Sequence, residues 1–146
     1  MARMFRMNAG RRIANAAVRA GLALGVGERN TRLLVVRGRK SGTPMSTPVT
    51  LVVDGERRWL VSPYGERAWV KNLRAAGECE LRRGRRTERV RAREVSADEA
   101  GPVLKRYAER VAITRPYFDA KPTDPVQRFI EEADRHPVFE LTPAGG

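Results

Sequence analysis

The sequence predicts one α+β domain built on a small barrel of about six short, mostly antiparallel strands, with helices interleaved. Three observations carry that expectation. After Gly27 the apolar pattern changes from helical spacing to short β-type runs. Glycine-bearing turns then punctuate those runs at Gly38–Gly42, Asp54-Gly55 and Gly84. Finally, Thr87–Val95 alternates sharply, with Val90, Ala92 and Val95 set against Arg89, Arg91 and Arg93. The 146 residues fit one domain over 1–146, with an N-terminal helix in 1–30 and the barrel with two or three further helices in 31–146.

From Asn8 to about Leu24, apolar residues recur at Ile13, Ala17, Ala20 and Leu24 with arginines between them, the pattern of an amphipathic helix ended by Gly25 and Gly27. Arg11, Arg12 and Arg19 interrupt the apolar stretch, so it reads as part of the mature chain and not as a signal core. Arg32–Arg37 is a short strand, followed by the turn Gly38-Arg39-Lys40-Ser41-Gly42 and a strand over Met45–Val53. Pro48 inside that strand implies an edge position or a bulge, because proline cannot donate to a ladder. Asp54-Gly55 marks a hairpin into Arg58–Ser62. Ala68–Ala76 reads as a helix stopped by Gly77, and Glu78–Arg83 with Thr87–Val95 as a hairpin around Gly84. Ser96-Ala97-Asp98-Glu99 has the form of a capping box and opens a helix to about Arg110. Thr114–Pro125 is irregular; a short helix (Val126–Ala133) and a last strand (Val138–Leu141) follow.

Composition narrows the chemistry. Twenty-nine Lys+Arg against seventeen Asp+Glu gives a net charge of +12, a field that attracts nucleic acid, anionic lipid or a phosphorylated coenzyme. A single cysteine, Cys79, forms no internal disulfide and suits a cytoplasmic setting. One cysteine and one histidine leave few soft ligands for zinc or iron–sulfur, and no metal is expected. A hydrolase triad would need His136, yet Pro137 and an apolar run follow it directly, the entrance to a strand. The aromatic residues are few and do not alternate with basic ones, which argues against a nucleic-acid module.

Two segments could hold a ligand. Arg37-Gly38-Arg39-Lys40-Ser41-Gly42 offers charge, a hydroxyl and approachable backbone N–H groups to a phosphate, although a basic hairpin tip serves equally well as a solvated turn. Ser62-Pro63-Tyr64-Gly65-Glu66-Arg67 leads from a strand into a helix beginning at or just before Trp69, where backbone N–H groups favour anions. Trp69 could wall a flat ring, with Asn72 on the same face; alternatively Trp69 and Leu73 are simply core.

In this order and spacing, GRKSG, the Pro48-bearing strand, the Asp54-Gly55 hairpin, the strand ending in Ser62, W-x-x-N-L-x-x-x-G from Trp69, and Pro137-Val138-Phe139-Glu140-Leu141 resemble the deazaflavin-dependent nitroreductase family. The likeness runs from about Leu33 to Leu141. It implies a split β-barrel of the FMN-binding type and a reductase that uses coenzyme F420, a 5-deazaflavin with a phosphate and a polyglutamate tail; FMN is the lesser alternative. By that likeness Arg39, Lys40 and Ser41 would grip the phosphate and tail carboxylates. Met45, Ser46, Thr47, Pro48, Val49 and Thr50 would line the cofactor through their backbone. Ser62, Pro63, Tyr64 and Gly65 would border the ring, with Ala68, Trp69, Lys71 and Asn72 completing the site.

The resemblance implies hydride transfer to a quinone, enone or nitro acceptor, with Tyr117 orienting the acceptor or supplying a proton. The protein's part in such chemistry is orientation and electrostatics, so a missing triad or metal cluster is expected. Two departures bear on the acceptor: the loop from Ser62 to Trp69 is shorter than in nitro-drug-activating relatives, and the family's tyrosine-rich wall is matched by Tyr117 and less closely by Tyr107. The alternative is a non-catalytic fatty-acid or lipid binder on the same fold. The basic amphipathic stretch before Gly25 also suits peripheral contact with the inner face of the plasma membrane. Either a monomer or a homodimer is compatible with the sequence.

Overall fold

A computed structural model describes residues 29–144; the helix expected over Asn8–Leu24 lies outside them. Six strands, β1 (Thr31–Arg37), β2 (Pro44–Asp54), β3 (Arg57–Val61), β4 (Glu78–Arg83), β5 (Arg86–Glu94) and β6 (Val138–Pro143), close an antiparallel barrel in the order β1-β2-β3-β6-β5-β4. Helices α1 (Ala68–Ala76), α2 (Ala97–Arg110) and α3 (Val126–Glu131) join them, with 3-10 turns at Ala112–Tyr117 and Ala133–Arg135. The expected α+β split-barrel architecture is the one found.

Local chemistry places the elements. Gly77 adopts φ 73° and donates its N–H to Leu73 O at 2.8 Å, ending α1 with the left-handed cap that glycine favours. Ser96 Oγ accepts the Glu99 N–H at 3.3 Å and opens α2. The proline-rich stretch is not wholly irregular: Ala112–Tyr117 winds as a 3-10 helix. The helix expected over Val126–Ala133 stops at Glu131, and the last strand runs on to Pro143.

Pro48 is not at a bulge, since β1 and β2 pair without interruption from Thr31↔Thr50 to Arg37↔Pro44. Pairing between β2 and β3 spans only Leu51–Asp54, so the Pro48 side of β2 that faces away from β1 has no strand partner. The edge that proline requires is therefore local, created where β3 leaves the sheet.

Two apolar layers result. Leu34, Val36, Leu51, Leu60, Leu81 and Phe139 fill the barrel, and Val70 and Leu73 of α1 close one end of it. The outer face of β2, β3 and β6 packs Val52, Trp59, Val61 and Val138 against α2 and the fully buried Phe129 of α3. Gly101 permits the close approach of α2 and α3, because a Cβ built there would collide with the Ile130 side chain. Gly101→Val is expected to destabilise the fold by about 1–3 kcal/mol through overpacking. Urea denaturation measures it, and an unchanged midpoint would show that the helices part freely.

Candidate functional site

The β1–β2 loop is a structured cradle. Gly38 N–H donates to Thr43 O at 2.9 Å, Gly42 N–H to Gly38 O at 2.8 Å, and Thr43 N–H to Ser41 Oγ at 3.1 Å. Gly42 has φ 73° and takes the loop through the left-handed region. Ser41 Oγ is thus an acceptor within the loop, leaving its own proton to donate outward. Arg39 and Lys40 are exposed at the tip.

Asn72 fixes that tip to α1. Its Oδ1 accepts both the Arg39 backbone N–H at 3.1 Å and Arg39 Nη1 at 2.8 Å, while Nδ2 contacts Met45 Sδ at 3.6 Å. Asn72 is 2% exposed, so its amide is spent on tying three elements together: the loop, α1 and the start of β2. One turn earlier on α1, Trp69 is half-buried, with its ring 6.3 Å from that of Phe139. One flank of the indole rests on the barrel core, so the core reading and the wall reading each describe part of it. Lys40 and Trp69 consequently belong to one end of the barrel.

The second segment is a tight turn. Ser62 is fully buried; its hydroxyl donates to Gly65 O at 2.6 Å, and its N–H donates to Pro137 O at 2.8 Å. Gly65 sits at φ 85°, with Arg135 O close to where a Cβ would stand. Helix α1 begins at Ala68 with Arg67 at its cap, no side chain bonded to its first turn and no acidic residue there. Ala68 and Trp69 therefore present N–H groups that the helix does not use, at its positive end. Lys71 is exposed beside them.

Tyr117, at the end of the 3-10 turn that follows α2, reaches this region: its ring meets Tyr64 edge-on at 4.8 Å and 83°, and it is 7% exposed. Tyr107 is buried, and that burial pushes its pKa up. It lines a cavity of about 210 Å³ with Thr31, Thr50, Val52, Arg110 and Val111. Thr31 and Thr50 meet hydroxyl to hydroxyl across β1 and β2 at 3.3 Å.

A network that the sequence reading did not find holds the turn in place. His136 Nδ1 donates to Pro63 O at 2.9 Å, and Nε2 lies 2.7 Å from Glu132 Oε1. Glu132 also accepts the Asp119 N–H at 3.2 Å and the Ala120 N–H at 2.7 Å. The imidazole stacks on Phe118 at 4.2 Å. Burial pushes the His136 pKa below its ordinary value, opposed but not reversed by the Glu132 carboxylate and the Pro63 carbonyl. This lone histidine joins the Tyr117–Ala120 segment to the Pro63 turn, which is the structural role its sequence context suggested. The i, i+4 spacing of Glu132 and His136 was the available clue. Cys79 is buried, and desolvation raises its thiol pKa to about 12, so it is no nucleophile at neutral pH. Among the described residues no group of three side chains could hold a metal ion.

Of the sequence-predicted residues, Arg39, Lys40, Ser41, Met45, Trp69, Lys71 and Asn72 gather at the loop–helix junction, and Ser62–Gly65 with Tyr117 form its neighbour. Ser46 is exposed and Thr47, Pro48 and Thr50 are half-buried on β2, whereas Val49 points into the barrel.

Comparison with known proteins agrees with this architecture. No curated protein is similar enough in sequence to match the chain. Among solved structures, an F420-H2 dependent reductase (FDR-A) is 20% identical, with a TM-score of 0.56 over 78% of this chain and 95% of its own. The heme storage protein HutZ of Vibrio cholerae is 18% identical, with a TM-score of 0.56 over 82% of this chain and 84% of its own. A heme binding protein of Mycobacterium smegmatis is 16% identical, with a TM-score of 0.52 over 96% of this chain and 53% of its own. At such identities these likenesses establish the barrel fold alone. A family model, in contrast, matches residues 5–124, most of the chain, and by that match the protein belongs to the F420H(2)-dependent quinone reductase family.

Proposed function

We propose that the chain binds reduced F420 across the Arg39–Ser41 loop and the start of α1, and passes its hydride to a quinone, with enones and nitro compounds as related acceptors. The observation that carries this reading is the Asn72 tie. It makes the cationic loop and the half-buried indole one continuous surface. The residues present fit a flat, multiply charged coenzyme. Arg39, Lys40 and the Ser41 hydroxyl would hold phosphate and any tail carboxylates; Trp69 would wall the ring; the Ala68 and Trp69 N–H groups would face its anionic edge.

When bound, the deazaflavin supplies the hydride; everything else falls to the protein. The Pro63 turn, braced by His136 and Glu132, sets the height of Tyr64 beside the ring site. Tyr117, packed on Tyr64, orients the acceptor or donates a proton to the oxygen that gains electron density. The cavity beside Tyr107 combines apolar Val52 and Val111 with two threonine hydroxyls and Arg110, a lining suited to an acceptor with a carbonyl oxygen. The heme chemistry in the names of two structural neighbours finds no histidine ligand here, because the chain's only histidine has both ring nitrogens engaged.

The test is anaerobic mixing of the purified protein with reduced F420 and a soluble quinone, following the return of the oxidised deazaflavin spectrum. Catalysed oxidation is expected, with FMN giving none; binding of a fatty acid with no coenzyme turnover would favour the lipid-binder alternative and sink the reductase reading. Tyr117→Phe is expected to lower kcat by about 10²-fold if its hydroxyl donates the proton. A change confined to KM would instead restrict Tyr117 to orientation.

A further inference from the structure

The two segments that form the coenzyme site carry almost no acid. None occurs from Arg37 to Val53, and Glu66 is the only one from Ser62 to Gly77. Glu66 stands two residues before Ala68, the first residue of α1, where a carboxylate would confront an anionic coenzyme. The structure turns that carboxylate elsewhere. Arg74 Nη1 donates to Glu66 Oε2 at 2.9 Å and Arg74 Nη2 to Glu66 Oε1 at 2.7 Å, a two-point contact reaching back over the length of the helix.

Arg74 is itself anchored. Its Nε donates to Glu94 Oε1 at 2.6 Å and its Nη2 to Glu94 Oε2 at 2.8 Å, so one guanidinium spans the turn before α1 and the end of β5. Helix geometry sets the side on which this happens. At about 100° per residue, Arg74 lies about 200° around α1 from Asn72 and about 140° from Trp69. Asn72 faces the Arg39 loop, whereas Arg74 borders a cavity of about 220 Å³ with Glu94, Ala97 and Asp134. Glu66 is therefore drawn to the flank of α1 that the coenzyme does not use.

The two side chains are 39% and 46% exposed, so their pairing adds little to stability. Its effect is on where charge is placed. Hydrogen bonding to Arg74 holds the Glu66 carboxyl below its ordinary pKa, with a smaller contribution from the nearby Lys71 charge. Without Arg74, Glu66 and Glu94 become like-charged neighbours, and repulsion drives away the one on the turn. At most about 7 Å of chain separates Glu66 from Ala68. The N–H groups at the positive end of α1 are then close attractors for the released carboxylate, with the Lys71 ammonium beside them, and both belong to the coenzyme site.

We propose that Arg74 is a positioning residue for coenzyme binding: by anchoring Glu66 on the Glu94 side of α1, it keeps the one nearby carboxylate off the surface that receives the anionic coenzyme. The consequence for affinity rests on the assignment of F420 to the loop–helix junction; the displacement of Glu66 does not.

Two measurements on the full chain test it. Titration with F420 at low ionic strength is expected to show about three- to tenfold weaker binding in Arg74→Gln, with affinity restored in Arg74→Gln/Glu66→Gln. Arg89→Gln, which breaks a comparable exposed pair with Glu78 on the barrel wall, is expected to bind as the unaltered chain does. Proton–nitrogen NMR spectra without coenzyme supply the second measurement. The Ala68 and Trp69 amide protons are expected to move downfield in Arg74→Gln, as the released carboxylate accepts from them, and to return in the double variant. Melting temperatures should stay close throughout, as for any exposed pair. Unchanged affinity in Arg74→Gln, a double variant as weak as the single, or an equal loss in Arg89→Gln would overturn the proposal, as would amides that stay in place. Shifted and restored amides in a chain that binds no F420 would uphold the displacement of Glu66 and sink the coenzyme assignment instead.

Discussion

Glu132→Ala is expected to destabilise the protein by about 3–5 kcal/mol, because it breaks a buried charge-assisted network and leaves the other members unpaired. The side chain is 3% exposed and serves three partners: the N–H groups of Asp119 and Ala120, and His136 Nε2. With the carboxylate gone, two backbone donors and an imidazole nitrogen lose their partner in a place water does not reach. Glu132→Gln keeps an oxygen for Ala120 and offers an N–H to His136 Nε2, but that N–H replaces the acceptor of the Asp119 N–H, so its loss is expected to be smaller than that of alanine without vanishing. Denaturant unfolding separates them; equal effects would mean that packing, not the network, holds the Pro63 turn. The His136 shift adds a pH dependence. Its folded pKa lies below the unfolded one, so the unfolded chain binds the extra proton first. Its contribution is fully present above about pH 6.5 and is lost as pH falls through the folded pKa. In His136→Gln that component of the acid slope should vanish.

The second large effect is on coenzyme affinity. Arg39→Ala/Lys40→Ala removes two charge-assisted contacts, each worth about 1.5–3 kcal/mol, so binding of F420 is expected to weaken by roughly 10²–10⁴-fold. Titration calorimetry at two salt concentrations checks it, since the unaltered chain should lose affinity with salt and the variant far less. Asn72→Leu should imitate part of this loss with both cations still present. The Arg39 N–H would lose its acceptor and the tip would no longer be pinned to α1. Full affinity in Asn72→Leu would show that the loop needs no such tie.

Legibility in the sequence followed the range of the forces involved. Helix α1 and strand β4 were readable to the residue because Gly77 and Gly84 end them with local backbone chemistry. The Ser96 cap was equally local. Pro48 announced an edge, but that the edge arises where β3 peels away at Val61 depends on pairing across the barrel. The motifs around Arg39 and Trp69 were visible, whereas the Arg39–Asn72 bond joins residues 33 apart and is fixed only by the register of β1 and β2. The contact of His136 with Pro63 was hidden for the same reason, since it joins residues 73 apart in the sequence.

Fluorescence of a single indole offers the most direct check. Trp59 is 6% exposed beneath α2, so Trp59→Phe leaves Trp69, at the junction of loop and helix, as the sole reporter. Titrating that variant with F420 should give saturable quenching that disappears when Arg39 and Lys40 are also replaced by alanine. Quenching that survives loss of both cations, or an indole indifferent to the coenzyme, would contradict a shared surface between the basic turn and the start of α1.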